Sequence, residues 1–229
     1  MPHIQIRAPV QSYGKLFKCR KRRRSGIVAF IDILGSQLFA LGFAGLIILY
    51  MTVQSYLLFR KGKRAEEMIK AGTVPLAAIG VYMFLSGLYG QFTWPLPGSY
   101  NTLFYDIYPL VGLLFIGAAL TIYWKLKIQY IGFFGLLLGV MSIWYGAFGY
   151  SIGLTKEPLA LLALYLAFGL GGVLGYPVMV MLDRSQAGIR NRSIAWRVLI
   201  LLFWLILFIG SMLALFIGTS AIPSHLAGV

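Results

Sequence analysis

A chain of 229 residues that is 59% apolar and only 11% charged, with mean hydropathy of +0.82, is no ordinary soluble domain, because such domains carry about 25% charge. Its 20 Lys plus Arg against 6 Asp plus Glu give a net charge of +14, but several apolar stretches long enough to cross a bilayer exclude a soluble nucleic-acid binder and put the basic excess in loops. The single cysteine excludes a disulfide framework and multi-cysteine metal centres, while the two histidines, His3 and His225, lie in the tails and argue against bis-histidine haem, so no cofactor is expected.

The first 25 residues hold eight positive charges: Arg7, Lys15, Lys18, Arg20 and the run Lys21 to Arg24. Apolar runs of about 20 residues follow, and these mark membrane helices, because a helix satisfies its own backbone hydrogen bonds in lipid. Six are predicted, near Ile33 to Phe59, Val74 to Phe92, Ile107 to Trp124, Ile128 to Tyr150, Pro158 to Leu182 and Ile194 to Gly218. The expected fold class is therefore all-α: one integral membrane bundle over residues 26–219, flanked by a basic tail 1–25 and a short external tail 220–229. Localisation in the plasma membrane, as a multi-pass protein, follows as an expectation.

Lys and Arg set the expected orientation, since short cytoplasmic loops are enriched in them. Arg60, Lys61, Lys63, Arg64 and Lys70 follow the first span, Lys125 and Lys127 the third, and Arg184, Arg190, Arg192 and Arg197 the fifth. The other connections hold only Lys156. This alternation predicts three basic cytoplasmic loops with both native ends outside. The basic tail breaks the pattern. It is expected to be an upstream extension from a misassigned start, with the native chain beginning near Val28. A hairpin within Gly26 to Phe59 is the alternative, and a real cytoplasmic tail would anchor on anionic lipid.

The outward segment Gly90 to Pro109 is rich in Pro and aromatic residues. Its plain reading is a rigid cap held by an aromatic belt; the functional one is a binding loop that offers Gln91, Asn101 and Asp106 to something outside. Within it, the run Trp94-Pro95-Leu96-Pro97-Gly98-Ser99-Tyr100-Asn101, together with Phe30-Ile31-Asp32 and Gln37-Leu38-Phe39-Ala40, resembles uncharacterised polytopic membrane proteins of archaea and some bacteria, grouped as a domain of unknown function. The resemblance spans roughly Phe30 to Gly218. It implies a membrane bundle whose members start close to the first helix, which makes residues 1–25 a departure, and it implies no activity.

Asp32, Asp106 and Glu157 share the outer level, so three carboxylates are candidates for one vestibule, beside the plain reading of solvated residues at helix ends. With Gln91, Trp94, Tyr100 and Asn101 they complete the outer-vestibule candidates. Asp183 and the pair Glu66-Glu67 read as charge compensation in basic loops. No Lys, Arg or His lies within a span, which removes the usual parts of a proton relay. Gln37, Gln54, Tyr50, Tyr82, Tyr145, Tyr165 and Tyr176 are left, with interhelical hydrogen bonding as their plain role.

The 27 glycines recur at small-xxx-small spacing, as in Gly135 with Gly139 and Gly171 with Gly175, which favours close packing within the chain. Gly171, Gly172, Gly175 and Pro177 are candidates for a break or kink in the fifth span. With irregularities in the second, they point weakly to an inverted-repeat transporter. Three functions follow. The first is a small-solute or ion channel or permease, which requires a polar path through the bundle. The second is a non-catalytic subunit or assembly factor of a larger, for example respiratory, membrane complex. The third, an enzyme, lacks catalytic His, Cys and carboxylate sets. Expected partners are the lipid bilayer and membrane proteins or further copies of the chain, and not nucleic acid.

Overall fold

Connections of only five to seven residues separate the six apolar runs, and connections that short force successive helices to lie antiparallel and adjacent. The computed structural model describes residues 33–61, 66–96, 98–186 and 193–226, and among them every element is helical. The helices are α1 (Ile33–Arg60), α2 (Glu66–Thr93), α3 (Ser99–Tyr105), α4 (Tyr108–Tyr123), α5 (Gln129–Ser151), α6 (Pro158–Gln186) and α7 (Ile194–Leu226). Six spans result, with α3 and α4 together forming the third, Ser99–Tyr123. Asp32 and residues 1–31 lie outside the described residues.

Three boundaries differ from expectation, the first being the start of the second span at Ile69 rather than near Val74, which takes in Lys70. The third span begins at Ser99 rather than near Ile107, so most of the supposed outer loop is helix. α7 continues through Ser220 and Pro223 to Leu226, so the supposed C-terminal tail is largely a further two turns of helix. α6 runs unbroken through Gly171, Gly172, Gly175 and Pro177. The interruption in the bundle lies instead at Asp106 and Ile107, where Pro109 has no N–H to offer the Tyr105 carbonyl four residues back.

The helices form a closed ring in chain order. α1 touches α2, α2 touches α4, α4 touches α5, α5 touches α6, α6 touches α7, and α7 returns to α1. The tightest pairs are α5 with α6, α2 with α4, and α1 with α7, and glycine sits at each crossing. A Cβ on Gly112 would lie 2.5 Å from Phe84 N, one on Gly172 2.6 Å from the Gly135 carbonyl, and one on Gly42 2.8 Å from Leu215 Cγ. These small-residue stripes are thus occupied inside the chain.

Such a ring rules out the inverted repeat. A twofold axis in the membrane plane reverses the cyclic order of helices, whereas mapping the first three spans onto the last three preserves it. A twofold along the normal preserves order but cannot exchange antiparallel helices. The second and fifth spans are therefore not symmetry mates.

Only 28–39% of the residues in each apolar window are buried, and large side chains such as Phe92, Trp144 and Phe216 point outward. In water that surface would be an aggregation hazard; in lipid it is solvated. The chain is a multi-pass membrane protein.

Candidate functional site

Gln37, Asn101 and several interhelical hydrogen bonds lie at one end of the ring, where α1, α3 and α6 begin and α2 and α5 finish, while buried Ser55 and Thr73 lie toward the other end and Ser211 between them. Here α2 stops because the residues before Pro95 and Pro97 are pushed out of the helical region: Trp94 takes φ 48°. Gly98 follows at φ 51°, ψ −123°, a conformation that any Cβ opposes. The turn is then pinned by Asn101, which is 1% exposed. Its Nδ2 donates to the Gly90 carbonyl at 3.2 Å, and its Oδ1 accepts from Leu96 N at 3.3 Å. Tyr100 Oη donates to the Leu154 carbonyl and its ring stacks on Phe104.

At the α3–α4 interruption Asp106 is half-buried, and its Oδ2 accepts from Tyr145 Oη of α5 at 2.9 Å. Tyr165 Oη of α6 donates to the Leu103 carbonyl at 2.6 Å, Ser142 Oγ to the Tyr165 carbonyl at 3.1 Å, and Tyr108 Oη to the Gln37 carbonyl at 3.1 Å. Tyr82 reaches Ser36 Oγ at 2.6 Å. Interhelical bonding, the plain role expected for Tyr82, Tyr145 and Tyr165, is what these residues do.

Between these helices lies a cavity of about 90 Å³, several times the roughly 10–15 Å³ that one water needs. Gln37, Tyr108, Ser142 and Tyr165 supply its polar wall, and Leu38, Val111, Leu164 and Phe168 are among its apolar residues; among the described residues no charged side chain lines it. The three hydroxyls are committed to backbone carbonyls. Gln37 is 3% exposed, and its Nε2 has no hydrogen-bond partner. A buried donor left unmade costs about 1–3 kcal/mol, so among the described residues this amide is the one polar group in the wall whose chemistry is open. Toward the other end of the ring the interior is filled by Ala44, Met51, Leu76, Met83, Phe115 and Ala118. Ser55 and Thr73, the buried polar side chains toward that end, are each bonded to a backbone carbonyl of their own helix.

Among the described residues, those singled out for an outer vestibule line neither the cavity at Gln37 nor a pocket of their own among those described. Asn101, expected to face outward, is a buried turn clamp. Asp106 faces inward onto Tyr145. Glu157 is exposed just before α6, with its carbonyl capping Leu161 N at 3.2 Å, and Asp32 is outside the described residues. Gln91 is half-buried near the end of α2, and Trp94 is exposed. Among the described residues no three Asp, Glu, Cys or His side chains converge as metal ligands. Gln37 was legible as an intramembrane polar residue, but nothing local marks it as unpartnered, because that depends on helices distant in sequence.

Asp183 also has a different role from the expected charge compensation. Its two carboxylate oxygens accept from Ile128 N at 3.0 Å and Gln129 N at 2.9 Å. It is a cap, supplied by α6, on the start of α5.

No curated protein and no solved structure matches the chain. The model of the family described as Protein of unknown function (DUF981) matches residues 28–228, and the chain belongs to that family.

Proposed function

We propose that the protein is a permease for a small uncharged solute that accepts hydrogen bonds, with Gln37 as its recognition group. The single observation that carries this reading is the unpartnered Gln37 Nε2 in the wall of a cavity whose other polar groups are satisfied. A carbonyl or hydroxyl oxygen there would recover the hydrogen bond that the protein leaves unmade. Among the described residues the cavity wall carries no charge, which supports a neutral solute over an ion, since an ion would be stripped of water without a counter-charge. The apolar filling toward the other end supports a carrier that must rearrange over an open channel. In this reading the plasma membrane is the site of action, and the end bearing Arg60, Lys125, Lys127, Arg184 and Arg197 is cytoplasmic.

Thermal unfolding of purified protein against a panel of small amides and polyols tests the recognition step. A carbonyl solute is expected to raise the midpoint of wild type and to leave Gln37→Leu unmoved. Equal shifts in both proteins, or none in either, would contradict the assignment of Gln37.

A further inference from the structure

The opposite end of the α1–α7 pair carries a second site, unconnected with the cavity. Here Tyr56, Leu57 and Arg60 of α1 and Arg197, Ile200, Leu201 and Trp204 of α7 line a groove of about 360 Å³, within the roughly 300–1,000 Å³ typical of ligand sites. Its aromatic floor is fixed. Trp204 Nε1 donates to Thr52 Oγ1 at 3.0 Å, Thr52 Oγ1 in turn reaches the Ile48 carbonyl at 2.8 Å, and the Tyr56 ring meets Trp204 edge-on at 5.4 Å. Among the described residues no carboxylate lines the groove.

The charges are placed unevenly with respect to the helix ends. Arg60 ends α1, where the helix dipole favours a cation. Arg197 stands in the first turn of α7, where the dipole disfavours one. Two guanidiniums and the positive pole of α7 therefore face one groove, and an anion is what they suit. Leu57 and Leu201 are 42% and 58% exposed and extend the groove along the apolar outer face, where a free anion finds no contact but an acyl chain does.

We propose that this groove binds an anionic phospholipid, its phosphate held by Arg60 and Arg197 and one acyl chain lying along Leu57, Ile200 and Leu201. The occupant is a lipid because charge and apolar wall are continuous in the same groove, at the end of two membrane spans.

Delipidated full-length protein in mild detergent, titrated with short-chain phosphatidylglycerol, phosphatidylcholine or inorganic phosphate and read by native mass spectrometry, tests this. Wild type is expected to retain phosphatidylglycerol at least about tenfold better than phosphatidylcholine. Each of Arg60→Gln and Arg197→Gln is expected to lower that retention about fivefold, while Arg184→Gln, outside the groove, leaves it unchanged. Equal retention of the two lipids by wild type would overturn the proposal whether or not the variants fold. So would inorganic phosphate competing as well as the lipid, which would mean a simple anion pocket, or an Arg184→Gln loss equal to the groove variants, which would mean nonspecific charge.

Discussion

At the scale of single residues, the side chains that matter most are those whose partners come from far along the chain. Asp183 lies 55 residues from Ile128 in sequence, yet its carboxylate satisfies two backbone N–H groups at the start of α5. Asp183→Ala is expected to cost about 1–2 kcal/mol of stability, with Asp183→Asn retaining part of it through one remaining acceptor. Denaturant titration followed by tryptophan fluorescence checks this, and an unchanged midpoint for the alanine variant would remove the capping role. Gln37 has the opposite expected sign. Replacing an unsatisfied amide by an apolar side chain of similar size relieves its desolvation cost, so ligand-free Gln37→Leu is expected to be as stable as wild type or more so.

At the scale of elements, the helices were legible and their interruptions less so. Lipid demands long apolar runs, and Pro158 and Ile194 were correctly placed as helix starts. The third span was misplaced because Gly90 to Pro109 carries the Pro, Gly and aromatic content of a loop; its seven-residue helix α3 is too short to show helical periodicity against that content. Pro109, which interrupts the ladder, is in the sequence, but which side of it continues as membrane helix depends on Asn101 folding inward. The expected break at Gly171 to Pro177 failed for a related reason. Those glycines answer to neighbouring helices rather than to their own backbone.

The crossings yield a paired test. Gly172→Ala places a methyl 2.6 Å from the Gly135 carbonyl of α5, where backbone must move, and is expected to lose about 1–3 kcal/mol. Gly175→Ala meets only Phe203 at 3.5 Å, an ordinary contact, and is expected to gain up to about 1 kcal/mol from helix propensity. Thermal melts of both variants decide it; a gain in both would mean that the α5–α6 crossing is looser than described.

At the scale of the whole molecule, the ring in chain order determines what the bundle can be. It closes the glycine stripes inside the chain, leaves an apolar outer face for lipid, and surrounds a cavity that no single helix encodes. The basic residues of alternate connections were readable from sequence and predict one orientation. With Cys19 replaced by Ser, a cysteine at Lys127 is expected to resist an impermeant maleimide on intact cells, while one at Lys156 reacts. The reverse pattern would invert the topology and place the Gln37 cavity nearer the cytoplasm. The ring also accounts for the failure of the inverted-repeat idea, since chain order alone leaves helix neighbours undetermined.

The most direct measurement is solute entry into liposomes, followed by stopped-flow light scattering, with wild type, Gln37→Leu and protein-free vesicles compared for small amides, polyols and monovalent salts. The proposed mechanism predicts that wild type accelerates at least one uncharged carbonyl or hydroxyl solute, that Gln37→Leu lowers that acceleration at least tenfold, and that salts cross no faster than in empty vesicles. Acceleration of salt entry, or uncharged-solute entry at the same rate with and without the Gln37 amide, would contradict it.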